Sequence, residues 1–236
     1  MEAAEAMTAA TVAARAELIY VGDPMCSWCW GFAPVLERLD AHYELPLRTV
    51  VGGLRPGPAA EPLGARLAGF LRHHWEQIAE LTGQPFDLSG LEREGWIYDT
   101  WPADLAIVAG RIVDEARVLA WFSRVQRAFY AEGADVTDRA VLVGLAEDFG
   151  LDGFGEVFDE EATAEATRAD FARSRALGVS GFPALLYRDD EIVAPVAYGY
   201  TSFEGITRLL DRYFTKRWGE DVASGLLCAL DDPLSC

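Results

Sequence analysis

Asp23-Pro24-Met25-Cys26-Ser27-Trp28-Cys29-Trp30-Gly31-Phe32 is the stretch that decides the fold. It sets two cysteines, two residues apart, between the β-branched and aromatic run Leu18-Ile19-Tyr20-Val21-Gly22 and a segment with Phe32, Val35, Leu36 and Leu39 at helical spacing. The run reads as a buried strand that Asp23-Pro24 turns away, and the segment as a helix stopped by Glu44-Leu45-Pro46. A strand handing over to a helix puts Cys26 at the helix amino terminus. Backbone amides and the helix dipole stabilise negative charge there, which favours a thiolate. Two intervening residues in a first helical turn let Cys29 reach back to Cys26. The pattern assigns Cys26 as an exposed nucleophile and Cys29 as the more buried resolving thiol, closing or releasing a mixed disulfide.

Outward from this pair, Leu47 to Val51 reads as a second strand closed by Gly52-Gly53. Residues 56–177 lack strand patterns and carry helix-length apolar periodicities, such as Leu63, Leu67, Phe70, Leu71, Trp75 and Ile78. Thr137 is placed to cap a helix through Val141, Leu142, Leu145 and Phe149, ended by Gly150. Strand signal returns after Gly178. Ala184 to Tyr187, the polar turn Arg188-Asp189-Asp190-Glu191 and Ile192 to Tyr198 suggest a hairpin, with Pro195 demoting its second arm to an edge. Thr201 and Glu204 form a capping box before Phe203, Ile206, Leu209, Leu210, Tyr213 and Phe214, one face of a final helix. The order is β-α-β, a large all-helical insertion, then β-β-α. The expected divisions are a flexible N-terminal tail at 1–16, an α/β domain from 17–55 and 178–215, the insertion at 56–177, and a C-terminal tail at 216–236 carrying Cys228 and Cys236.

Charge and composition exclude several partners. The 236 residues carry a formal net charge of -18, and Lys216 is the only lysine, so no basic stripe exists for nucleic acid. The same negative field disfavours an anionic membrane surface, and no apolar run reaches the roughly 18 residues that spanning needs. The opening segment carries Glu2, Glu5 and Glu17 and lacks the basic start and apolar middle of a secretory signal, so the cytoplasm is the expected location. There, four cysteines point to catalysis, metal binding or reduced thiols rather than structural disulfides. Zinc is the plainer reading of a C-x-x-C, but it needs four ligands at compatible spacing. Cys228 and Cys236 are too far apart to form a second knuckle, and the neighbours His73 and His74 would point about 100° apart on a helix. Redox chemistry is therefore preferred, with no metal and no cofactor expected.

The chain resembles the DsbA branch of the thioredoxin superfamily, and within it the FrnE-like proteins. The likeness extends over nearly the whole sequence. It rests on residues 23–32, on Val51-Gly52-Gly53-Leu54 and on Gly178-Val179-Ser180-Gly181-Phe182-Pro183, with Pro34 at the family's helix-kinking position and Tyr98-Asp99-Thr100-Trp101-Pro102-Ala103 as a further, less specific segment. The resemblance implies a thioredoxin fold with a DsbA-like helical insertion, and makes Pro183 a cis proline leaning on the cysteine pair. A cis bond turns the chain sharply and leaves the backbone of Phe182 available to an extended substrate as an added strand. A trans proline ending a loop is the alternative. Trp28, Phe182 and Pro183 are the expected substrate contacts; Trp30 and Phe32 add aromatic surface, Phe32 being the one expected in the core.

Two departures stand out. Thioredoxins keep a buried acid six positions before the first cysteine, where this chain has Tyr20. Asp23 is the candidate for proton handling in its place, against its simpler reading as a turn residue. Trp28 stands where DsbA has a histidine, so no cation neighbours the thiolate and a less oxidising couple is expected. FrnE-like proteins can carry a second carboxy-terminal cysteine pair, which makes Cys228 and Cys236 an auxiliary redox pair or, alternatively, thiols of a mobile tail. The implied function is a cytosolic protein-disulfide reductase or isomerase acting on proteins with disulfides or thiols, with glutathione or thioredoxin as electron donor. Two alternatives stay open: a glutathione-linked enzyme of the kappa-transferase or hydroxychromene-carboxylate isomerase type, which uses a single serine or cysteine, and a non-catalytic thiol module for metal binding or chaperoning.

Overall fold

The computed structural model describes residues 8–227; Cys228 and Cys236 lie outside them. Thr8 caps a short helix, α1 (Ala9–Ala13), by accepting the Thr11 N–H at 3.2 Å. This segment was expected to be a tail, but Val12 and Ala16 are buried, and that apolar contact holds it. Next come β1 (Glu17–Gly22), buried throughout, α2 (Ser27–Asp40) and β2 (Leu47–Val51). The middle of the chain contains β3 (Glu61–Pro62), α3 (Ala65–Thr82), β4 (Ile97–Tyr98), α4 (Trp101–Val113), α5 (Val118–Tyr130), α6 (Arg139–Phe149), α7 (Phe154–Asp159) and α8 (Glu161–Ala176). The closing elements are β5 (Ala184–Arg188), β6 (Val193–Tyr198), α9 (Phe203–Trp218) and α10 (Glu220–Ser224). Helix thus occupies residues beyond 216 that were expected to begin a tail.

The main sheet has the order β2-β1-β5-β6, the thioredoxin fold with its helices inserted between β2 and β5. β5 and β6 are antiparallel, with Ala184 opposite Tyr198 and Arg188 opposite Val193, and the register slips between Leu185 and Leu186. Pro195 lies in β6, at the edge, where its missing N–H is tolerated. The insertion is helical apart from β3 and β4, which pair antiparallel. Two residues per strand are too few to show an alternating pattern.

Two caps differ from expectation by one residue. Asp138, not Thr137, caps α6 by accepting the Ala140 N–H at 2.7 Å, while the Thr137 hydroxyl donates to Asp135 at 2.6 Å. Ser202, not Thr201, caps α9 through the Gly205 N–H at 3.2 Å, and Glu204 pairs with Arg38 rather than closing a box. In α3 the buried face is Leu67, Leu71, Trp75 and Ile78; Phe70 points outward.

The chain divides into two compact units. One takes in Pro34–Arg48 with the described parts of Met1–Tyr20 and Ala184–Cys236. Its core gathers Tyr43, Tyr187, Phe214 and Trp218, whose rings meet at 5.4 to 6.1 Å. The other comprises Val21–Ala33 and Thr49–Pro183. It is built on Trp75, which meets Phe86, Phe129 and Tyr130 at 5.1 to 5.8 Å, and contains both cysteines of the C-x-x-C.

Candidate active site

Asp23 makes the turn out of β1. Its Oδ1 accepts the Met25 N–H at 2.8 Å, and its carbonyl accepts the Cys26 N–H at 3.0 Å. The Cys26 carbonyl accepts the Trp30 N–H at 3.1 Å, the first bond of α2, so Cys26 is the N-cap of that helix. A side chain at an N-cap faces the amides of the first turn, the positive end of the helix. Cys29, one turn on and close by, is fully buried. Cys26 is the more accessible of the two but keeps only 6 % of its surface, less than an openly exposed nucleophile.

Part of what covers it is the segment before β5. The Phe182–Pro183 peptide bond is cis, Pro183 is buried and Phe182 half-buried. The Cys26 thiol donates to the Phe182 carbonyl at 3.7 Å, which uses one of that oxygen's two lone pairs. The Phe182 ring lies directly on Gly52: a Cβ there would come within 2.1 Å of two ring carbons. Gly52→Ala should therefore push Phe182 off the site, cost about 1–3 kcal/mol by overpacking and slow disulfide exchange. Urea unfolding combined with an exchange assay checks this, and a fully active, equally stable variant would contradict it.

Gly52 is itself fixed. Its N–H donates to Gly22 at 2.7 Å, and the strand before it is locked by Asp170, which accepts the Val51 N–H at 3.1 Å and pairs with Arg111 at 2.8 Å. The same Arg111 nitrogen donates to the Thr49 carbonyl at 2.7 Å.

Pro34, inside α2, cannot donate to the Trp30 carbonyl four residues back. That carbonyl accepts from the Gln84 side chain at 2.9 Å instead, and the Trp30 indole donates to Pro85 at 3.0 Å. Trp30 and Phe32 are core residues, 3 % and 0 % exposed, while Trp28 stays half-buried.

Beneath the turn sits a cluster of acids and phenols. Asp23 is fully buried, and its Oδ2 accepts the Leu54 N–H at 2.6 Å. Burial raises its pKa against the lowering effect of the two N–H bonds. Asp104 of α4 is also fully buried, with the Thr100 hydroxyl donating to it at 3.2 Å; burial and the neighbouring Asp23 charge push its acid well above the carboxylate range. The Tyr98 hydroxyl donates to the Met25 carbonyl. Burial, followed by nearby negative charge, also raises Tyr98 and Tyr130. Sequence reasoning reached Asp23 but missed Asp104 and Tyr130. Tyr98 and Thr100 lay in a quoted segment without an assigned role. Among the described residues, no group of three His, Cys, Asp or Glu side chains has metal-holding geometry, and no helix is long and apolar enough to cross a membrane.

A family model described as the DSBA-like thioredoxin domain matches residues 17–211. A Nitrosomonas europaea protein provisionally described as a protein disulfide isomerase is 36% identical with a TM-score of 0.78, over 86% of this chain and 99% of that one. The cytosolic disulfide reductase DsbM from Pseudomonas aeruginosa is 31% identical with a TM-score of 0.73, over 84% and 98%; DsbM has also been solved with GSH. The ClpXP adapter proteins SpxH of Halalkalibacterium halodurans and Bacillus subtilis are 25% and 24% identical over 72% and 80% of this chain, which spans 58% and 66% of their lengths.

Proposed function

Because the chain belongs to the DSBA-like thioredoxin domain family, we propose that it is a thiol-disulfide oxidoreductase working through Cys26 and Cys29, with protein disulfides as substrates and reduction as its direction. The observation that carries this reading is Cys26 at the N-cap of α2, its sulfur 3.7 Å from the carbonyl of Phe182 on the cis-proline segment. The Cys26 thiolate attacks one sulfur of the substrate disulfide and expels the other as a thiolate, leaving a mixed disulfide. Cys29 then loses its proton and attacks the Cys26 sulfur, releasing the second substrate thiolate. The substrate gains two electrons, the protein is left with a Cys26–Cys29 disulfide, and two molecules of reduced glutathione restore the dithiol while forming one oxidised glutathione. A cytosolic relative that has been solved with GSH supports both the donor and a cytosolic setting.

The contact to Phe182 sets the attacking sulfur beside the backbone on which a substrate would dock. A thiol occupies that carbonyl as a donor, whereas a thiolate has no proton to give. Deprotonating Cys26 therefore arms the sulfur and ends its bond to that carbonyl, whose second lone pair can accept an extended substrate's N–H in either state. Trp28, Phe182 and Pro183 are the surfaces assigned to that substrate.

Equilibration with defined glutathione buffers, followed by acid quenching and thiol counting by mass, tests the proposal. Cys26 and Cys29 should oxidise together, at a glutathione ratio more reducing than DsbA requires, since no histidine supports the thiolate and the dithiol is the less favoured form. A pair that stays reduced at every ratio would sink the proposal.

A further inference from the structure

We infer that Asp23 and Asp104 form a buried carboxyl pair sharing one proton, and that Asp104 is a positioning residue whose protonated form holds the charge behind Cys26 to one unit. The inference rests on the reading of Cys26 as the reacting thiol.

The hydrogen bonds place the charge on Asp23 and the proton on Asp104. Each Asp23 oxygen accepts a backbone N–H, from Met25 at 2.8 Å and from Leu54 at 2.6 Å, an arrangement that suits a carboxylate. Asp104 receives only the Thr100 hydroxyl, on Oδ2; among the described residues no N–H or O–H reaches its Oδ1, although the side chain is fully buried. One network joins the two carboxyl groups: Leu54 donates to Asp23, the next N–H, of Arg55, donates to the Thr100 hydroxyl oxygen at 3.1 Å, and that hydroxyl donates to Asp104 at 3.2 Å. Two carboxylates this deeply buried in one network repel each other, and keeping one proton removes the second charge. Asp104 holds that proton, because Asp23 has the two amides that favour its charged form and Asp104 has none. The upward push on Asp104 from burial and from Asp23 agrees with this.

The groups around the pair leave a second charge uncompensated. β4 contributes Tyr98 and α5 contributes Tyr130, both held neutral by burial and both within the influence of Cys26 and Asp23. α8 contributes Asp170, already paired with Arg111 at 2.8 Å. Arg55, 5.6 Å from the Tyr98 ring, is committed to Glu61 at 3.4 Å. Loss of the shared proton would therefore set two like charges behind the attacking sulfur and oppose its ionisation, coupling the two titrations.

Asp104→Asn tests this, since the amide can still donate to Asp23 and accept from Thr100 at a fixed pair charge. Iodoacetamide alkylation of Cys26 in reduced protein should match wild type at acidic pH. On the alkaline side, where the wild-type pair has lost its proton, the variant should react up to about tenfold faster, the equivalent of one pKa unit. Aspartate 13C carboxyl NMR of the wild type should show one group titrating far above the usual range, and that signal should be missing from the variant. Superimposable alkylation profiles, or wild-type aspartates that all titrate normally, would overturn the inference. If the variant does not fold, the wild-type NMR titration decides. If Cys26 resists alkylation at every pH, the proposed function fails, and the NMR still judges the pair.

Discussion

Cys26→Ser is expected to lose disulfide exchange by at least about a thousandfold, because a serine hydroxyl is not appreciably ionised at neutral pH and cannot form a disulfide in any case. Cys29→Ser should behave differently. Cys26 still attacks, but nothing resolves the adduct, so incubation with oxidised glutathione should leave one glutathione per chain, visible as a mass increase. The contrast between the two variants matters more than either alone. Full turnover by Cys29→Ser would instead favour the single-residue, glutathione-linked chemistry raised by the sequence, and an active Cys26→Ser would remove the thiol mechanism altogether.

Arg111→Met should be the most damaging substitution away from the cysteines. Arg111 and Asp170 are 19% and 10% exposed, and together they hold the Thr49 carbonyl and the Val51 amide. Removing the guanidinium strands a largely buried carboxylate, which costs roughly 3–5 kcal/mol when a buried pair is broken. Chemical denaturation should show this loss. The double variant Arg111→Met/Asp170→Leu should recover part of it, since the stranded charge is then gone. A single-variant loss below about 1 kcal/mol would mean that the pair does not hold β2 in place. Exchange activity should fall as well, because Val51 leads directly into the Gly52 on which Phe182 rests.

Much of this architecture could be read from the sequence wherever the signal was local. The runs at 18–22 and 47–51, the hairpin around Asp189-Asp190 and the cysteine pair all announce themselves within ten residues. Asp104 did not: it opens α4 ahead of the apolar stretch Leu105 to Ala109, where an acid reads as a partner for the helix dipole. Only the fold brings it to Asp23. The Arg111–Asp170 pair spans 59 positions, and no spacing rule connects them. Gln84 was equally silent, since its role is to meet a carbonyl that Pro34 leaves without a donor. The caps of α6 and α9 each fell one residue from the predicted position, because adjacent Thr-Asp and Thr-Ser both offer an oxygen and sequence does not say which one the turn presents.

At its far border the sheet ends in β6, where Pro195 offers no amide and the slip at Leu185 and Leu186 breaks the even spacing of the rungs. A stray polypeptide meeting that rim finds a template interrupted at its middle. Copies of this protein also carry -18 apiece, so like charge opposes their close approach.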